Sequence, residues 1–167
     1  MCTFALMAEN LFVAETTDKQ ERYLALLPQL QALMDPKAGA TANVANAMAA
    51  LKQTFGWLWI GVYMVQDDHL ELGPFQGPIA CTRIEKGKGV CGSAWNENRT
   101  LVVPDVEAFP GHIACSSASR SEIVVPIQID GQCIGVIDAD SERLDDFDTT
   151  DQQFLERISE MLSKLYV

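Results

Sequence analysis

Three cysteines fall within 35 residues of one another: Cys81 in GPIACTRI, Cys91 in GKGVCGSAW and Cys115 in GHIACSSAS. In an acidic chain with no mark of export, clustered thiols point to metal binding or redox chemistry, because a reducing compartment does not sustain a structural disulfide framework. Each run carries glycine beside or near its cysteine, which places these thiols in loops or at element ends, where backbone can turn sharply or approach a ligand. Any one of them alone reads as a buried filler, since free cysteine is among the most buried residue types; three in such settings favour chemistry. Cys2, at a terminus, and Cys133, inside the apolar run QCIGVIDAD, are read as packing residues. Cys81, Cys91, His112 and Cys115 have zinc-ligand types, but nine residues separate the first two cysteines and no C-x-x-C pair exists, so neither a metal nor a cofactor is expected. His112 reads as a loop-structuring residue and His69 as a surface one.

A second set of reactive groups lies around Asp130-Gly131, a turn signal between predicted strands at Glu122 to Ile129 and Gln132 to Asp140. A two-residue turn would pair Ile129 with Gln132 and scatter the nearby carboxylates over both faces. A three-residue loop, Ile129 to Gly131, pairs Gln128 with Gln132 and brings Glu122 opposite Asp138, with Asp140 on the same face. The second register is preferred because it leaves Ile123, Val125, Ile127, Cys133 and Ile137 together on a uniformly apolar face. Carboxylates opposed across a ladder destabilise it unless a cation binds or one acid keeps its proton. A carboxyl with a raised pKa can serve as general acid, and an ionised neighbour can hold an ammonium group. Alternation along the strand predicted from Trp57 to Val65 sets Trp57, Trp59 and Tyr63 on one face and Leu58, Ile60, Val62 and Met64 on the other.

The elements that must position these groups are readable from periodicity. Tyr23, Leu26, Leu27, Leu30 and Leu33 recur at three and four residues and predict a helix from Asp18 to Met34, stopped by Asp35-Pro36. A second helix is predicted from Thr41 to Phe55, closed by Gly56. After the Trp57 strand, Gln66-Asp67-Asp68 turns the chain into a strand at HLELGPF, and further strands are expected at Ile79 to Ile84 and Leu101 to Val103. Gly92 to Asn98 reads as a short helix. A last amphipathic helix begins near Thr149, with Thr150-Asp151 as candidate caps, and presents Phe154, Ile158, Met161, Leu162 and Leu165. The pattern is that of an α+β domain: an antiparallel sheet of about six strands, N- and C-terminal helices packed on one face, and a loop-covered pocket on the other. The irregular stretch from Gly73 to Ser121 holds all three clustered thiols, and loops of that length are usually functional.

With 167 residues and 48% hydrophobic content, a single domain spanning 1–167 is expected. A net charge of −11 argues against nucleic acid and against an anionic membrane surface as partners, since both would be repelled. The first residues lack a basic region and are interrupted by Glu9, and no stretch reaches membrane-spanning length, so the expected location is the cytoplasm.

The succession GPFQGPIACTRI, GKGVCGSAW, FPGHIACSSASRSEIVVPI and IGVIDADS resembles the free methionine-(R)-sulfoxide reductases, enzymes built on a single GAF domain. The resemblance extends from the second helix to the last. It implies that Cys115 is the catalytic thiol, that Cys81 is the usual resolving thiol, and that Cys91 can also form a disulfide with Cys115. It places the family's pocket tryptophan at Trp59 and its pocket acids at Glu122, Asp138 and Asp140; Tyr63, on the strand face of Trp59, joins the substrate-binding set. The implied reaction is attack of the Cys115 thiolate on the sulfoxide sulfur, with a proton supplied by Glu122 or Asp140. The sulfenic acid left behind would condense with Cys81 or Cys91 to a disulfide, and thioredoxin would reduce it. The family also implies a homodimer, for which the amphipathic first helix offers a surface. The competing class is a GAF domain that senses a small regulator without catalysis; the acidic pocket disfavours the phosphate of a cyclic nucleotide, and no effector domain is attached.

Overall fold

The computed structural model describes residues 10–111 and 117–167. The chain enters helix α1 (Lys19–Leu33), whose N-cap Asp18 accepts from the amides of Gln20 and Glu21. Helix α2 (Ala40–Phe55) ends at Gly56, held at φ 70°, where its amide bonds the Lys52 carbonyl. Strands β1 (Trp59–Gln66) and β2 (His69–Gln76) form a hairpin, followed by the short β3 (Arg83–Glu85), helix α3 (Gly89–Glu97) and the short β4 (Leu101–Val103). A second hairpin, β5 (Ser121–Ile129) and β6 (Gln132–Ser141), leads to helix α4 (Thr149–Ser163). Among the described residues the strands make one antiparallel sheet in the order β3-β2-β1-β6-β5-β4.

This sheet has two apolar faces with different roles. Ile60, Val62, Ile123, Val125, Ile127, Ile137 and Ala139 point to one side, where α1, α2 and α4 bring Leu26, Leu30, Met48, Leu51, Leu155 and Ile158 to form the main core. On the other side Trp59, Tyr63, Leu70, Val124 and Val136 are covered by Val90, Cys91, Ala94 and Trp95 of α3, and by Val106 from the segment after β4. The helical face is tied by more than packing. Tyr23 donates its hydroxyl to Asp151 Oδ1 at 2.9 Å, and Lys19 pairs with Asp151 and Asp148, joining the starts of α1 and α4. The predicted architecture therefore holds: six antiparallel strands, terminal helices on one face, and a pocket on the other.

The β5–β6 register corrects the expected one. Asp130 and Gly131 both take positive φ, 51° and 77°, and form a two-residue turn with Ile129 opposite Gln132, so the three-residue loop is not formed. A bulge then follows: Gln128 faces Cys133, but Ile127 faces Gly135. The extra residue restores the parity that a two-residue turn would have lost. Glu122 thus stands opposite Asp140, not Asp138, yet all three acids share one face. The same bulge turns Cys133 away from Ile137 and into the pocket-side cluster with Val124 and Val136, where its thiol donates to the Gly135 carbonyl at 3.1 Å.

Four smaller expectations also change. Trp57 packs in the main core and Leu58 against the pocket side, the reverse of the predicted faces, because both precede the first strand residue and strand alternation does not apply to them. The strand predicted from Ile79 is confined to Arg83–Glu85, because the carbonyls of Pro78 and Cys81 are taken by side chains of β1 and not by a strand ladder. Helix α4 is capped by Asp148, which accepts from the amides of Thr150 and Asp151 while the Asp151 carboxylate accepts from the Asp148 amide. Helix α3 begins three residues before the predicted start, which places Cys91 in its first turn.

Candidate active site

The pocket is built on one row of the sheet. Trp59 on β1 lies opposite Asp140 on β6, and Asp140 lies opposite Glu122 on β5. Two residues along, Gly61 faces Asp138, which faces Val124. Strand alternation thus sends Trp59, Asp138, Asp140 and Glu122 to the same side. Helix α3 crosses above them and sets Cys91 Sγ 3.9 Å from Glu122 Oε1.

Burial decides the charge state of this group. Glu122 and Asp138 are each 6% exposed and Cys91 4%. Desolvation, then repulsion from neighbouring carboxyls, pushes Glu122 well above the usual carboxylate range, and Asp138 is raised by the same causes. Burial raises Asp140 to about 6, against the opposing hydrogen bond from Ser119 Oγ to its Oδ1. The shifts favour retention of a proton within the row, with Asp140 raised only to about 6 and Glu122 and Asp138 pushed well up. Among the described residues, Asp138 Oδ1 is buried without a hydrogen-bond partner. Burial and the charges of Asp138 and Glu122 also push the Cys91 thiol well up, so it stays S–H. Donor atoms of Cys91, Glu122 and Asp138 lie within 4.8 Å of one another and have metal-ligand types. Their raised pKa values favour the protonated forms, which ligate poorly.

An aromatic wall closes the opposite side. The Trp59 ring stacks on Phe75 at 5.4 Å and on Tyr63 at 5.9 Å between centroids. Trp59 Nε1 donates to the Pro78 carbonyl and the Tyr63 hydroxyl to the Cys81 carbonyl, each at 3.1 Å. Gly61 makes room for the indole: a Cβ there would lie 2.3 Å from the Trp59 ring and 2.5 Å from Phe75 Cβ. The rim is formed by Pro78, Ile79 and Ala80, and by Lys88 with the start of α3. The first α3 hydrogen bond runs from the Gly92 amide to the Lys88 carbonyl, so the earlier amides of Gly89, Val90 and Cys91 have no intrahelical acceptor and contribute positive potential beside Lys88.

Of the residues singled out in the sequence, Trp59, Tyr63, Cys91, Glu122, Asp138 and Asp140 line this one pocket. Cys81 sits half-buried directly after Ala80 of the rim. Cys115 and His112 lie outside the described residues. Three contributors were not singled out: Ser119, Lys88 and Gly61. Ser119 is one of several hydroxyl residues in CSSASRS, and nothing in that run distinguishes the one that meets Asp140. Gly61, inside a run of large apolar residues, was the readable sign of a close approach.

Comparison with known proteins gives a consistent result. Residues 41–165 match the family model described as GAF domain. Free methionine-R-sulfoxide reductase of Escherichia coli is 43% identical over 149 residues, covering 89% of this chain and 90% of that protein. The yeast Saccharomyces cerevisiae protein of the same name is 39% identical over 166 residues, covering 94% of this chain and 92% of the relative. Among solved structures, the free methionine-R-sulfoxide reductase of Neisseria meningitidis in complex with its substrate superposes with a TM-score of 0.91 at 51% identity, covering 94% of this chain and 95% of that one.

Proposed function

This chain belongs to the free methionine-R-sulfoxide reductases, oxidoreductases of the GAF family, and from that premise we propose that it reduces free methionine-(R)-sulfoxide to methionine with Cys115 as nucleophile. The observation that carries the proposal is the row of three carboxyls, Glu122 and Asp138 buried and Asp140 partly so, facing a tryptophan wall. A sulfoxide needs a proton on oxygen before a thiolate can displace at sulfur, and the shared protons of Glu122, Asp138 and Asp140 sit where that oxygen would enter. The indole of Trp59 receives the S-methyl group and faces the partly positive sulfur. An ionised member of the acid row holds the α-ammonium, while Lys88 and the opening amides of α3 favour the α-carboxylate. A methionine sulfoxide inside a peptide lacks both charges, which accounts for preference for the free amino acid.

In the proposed cycle the Cys115 thiolate attacks the sulfoxide sulfur, oxygen passes to the cysteine sulfur with one proton, and methionine departs, leaving Cys115 as sulfenic acid. The Cys81 thiol condenses with it, forming the disulfide and releasing water, and thioredoxin returns both thiols by exchange. Cys81 is disulfide-bonded in the structure whereas Cys91 and Cys133 are free thiols, which supports Cys81 over Cys91 as the resolving residue. We further propose a single GAF domain over the whole chain, working as a cytoplasmic homodimer. The first turnover tests the assignment of roles. Cys115→Ser should release no methionine from one equivalent of substrate, and Cys81→Ser should release close to one equivalent but fail to recycle with thioredoxin. Equal loss of the first turnover in both variants would contradict it.

A further inference from the structure

The segment that carries Cys81 is held to the sheet by its carbonyls. Trp59 Nε1 donates to Pro78 O, the Tyr63 hydroxyl donates to Cys81 O, and the Leu72 amide donates to Thr82 O, each at 3.1 Å. Pro78 and Thr82 are exposed and Ile79 is 91% exposed, so packing along the segment is confined to Ala80 and Cys81, which lie half-buried against the pocket-side cluster. Of these three hydrogen bonds, the one from Tyr63 falls on the cysteine itself. It orients the peptide plane that follows Cys81, and with it the direction in which the thiol leaves the backbone.

We infer that Tyr63 is a positioning residue for the resolving step: its ring walls the substrate pocket and its hydroxyl aims Cys81 at the sulfur to be resolved. The inference rests on the reading above in which Cys81 resolves a sulfenic acid at Cys115. In that step the Cys81 sulfur attacks the sulfenic sulfur, an S–S bond forms, and the hydroxyl leaves as water with the thiol proton. Disulfides tolerate only a narrow range of Cα separations and Cβ directions, so a loosely held thiol reaches bonding geometry less often. The Tyr63 hydroxyl suits the task because it does not lose its proton. It is 1% exposed, and burial with the neighbouring charge of Asp138 raises its pKa, so it donates throughout the working pH range. Substrate pocket and resolving loop therefore share one side chain, and the carboxyls above it reinforce the donor they need on the other side.

Tyr63→Phe keeps the ring and its stacking on Trp59 and removes only the donor. Fully reduced wild type, Tyr63→Phe, Cys81→Ser and the double variant are each mixed with one equivalent of free methionine-(R)-sulfoxide and, separately, one equivalent of hydrogen peroxide. Methionine release, trapping of the sulfenic acid by dimedone, and disulfide formation are followed in time. The expected result is that Tyr63→Phe lowers the rate of disulfide formation relative to sulfenic acid formation about tenfold, the effect of losing one buried hydrogen bond, with more dimedone adduct at Cys115. In the Cys81→Ser background the same substitution should add nothing to the adduct yield. An unchanged ratio in Tyr63→Phe, or an equal further rise of adduct in the double variant, would overturn the inference. If wild type releases no methionine from the sulfoxide, the proposed substrate is wrong, and the peroxide arm still decides the role of Tyr63.

Discussion

Glu122 and Asp140 face each other directly across β5 and β6, with Asp138 one pair further along on the same side of the sheet. Two ionised carboxylates in that position would destabilise the ladder, and burial removes the solvent that could relieve them. Protonation is the compensation available within the described residues, and a retained proton is what sulfoxide reduction consumes. The strain of the fold and the chemistry of the site thus arise from the same pair.

Replacing either member by its amide should separate function from stability. Glu122→Gln or Asp140→Asn is expected to slow the chemical step by about a hundredfold or more, the usual loss for a general acid. Asp140 is raised to about 6 in the folded chain, above its unfolded value, so the folded state binds the extra proton and stability falls as pH rises from the unfolded pKa through about 6. Asp140→Asn should therefore be more stable than wild type at pH 7.5, by up to about 3 kcal/mol, and nearly equal to it at pH 4. Denaturant unfolding at the two pH values reads this directly; equal stability at both would count against a buried, reluctant carboxylate.

The first-turnover rate should carry the same signature. Donor carboxyls lose their protons as pH rises past Asp140's value of about 6 and then into the higher range of Glu122 and Asp138. Methionine release per turnover is expected to decline on the alkaline side, and Glu122→Gln should flatten that decline while lowering the plateau. A rate that climbs through pH 9 in wild type would show that thiolate formation alone limits the step.

Oxidised protein should contain Cys81 in its dominant bridge. Cys91 is 4% exposed, set against Glu122 and held as S–H, so it is a slow partner for a sulfenic acid. Cys133 shares the pocket-side cluster only through the β6 bulge, and its thiol is occupied with the Gly135 carbonyl. Peptide mapping that placed Cys91 or Cys133 in most of the bridge would reverse this ranking.

Gly61→Ala should damage the aromatic wall. The added methyl would come within 2.3 Å of the Trp59 ring and 2.5 Å of Phe75 Cβ, and overpacking of this kind costs about 1–3 kcal/mol. The expected outcome is a lower Tm together with a raised KM, because Trp59 must swing out of the position that receives the substrate. Unchanged Trp fluorescence and KM would mean that the wall relaxes freely.

The sequence made much of this arrangement legible because its determinants are local. Helix α2 and its Gly56 stop, the Asp67-Asp68 turn and the alternation in β5 follow from spacing and turn chemistry alone. The hairpin register did not, since Asp130-Gly131 fits both loop lengths and a bulge at Ile134, opposite the Ile127–Gln128 step, leaves no mark in composition. The acids still converged on one face, because a two-residue turn plus one bulge has the same parity as the three-residue loop. Cys133 was misplaced for the same reason. Trp57 departs from the alternation because it lies two residues before the strand begins. Ser119 on Asp140 and the hydroxyl of Tyr63 on Cys81 were not readable at all: each joins groups that only the folded sheet brings together, and neither belongs to a periodic pattern.

The central claim is reduction of one stereoisomer of one free amino acid, and separated substrates test it most directly. Purified protein with thioredoxin, thioredoxin reductase and NADPH should consume free methionine-(R)-sulfoxide to completion, leave the (S) isomer untouched, and act far more slowly on the (R)-sulfoxide within a blocked peptide that lacks the α-ammonium and α-carboxylate. Turnover of neither free isomer, with binding of a small ligand retained, would contradict the account and leave a GAF domain that senses rather than reduces.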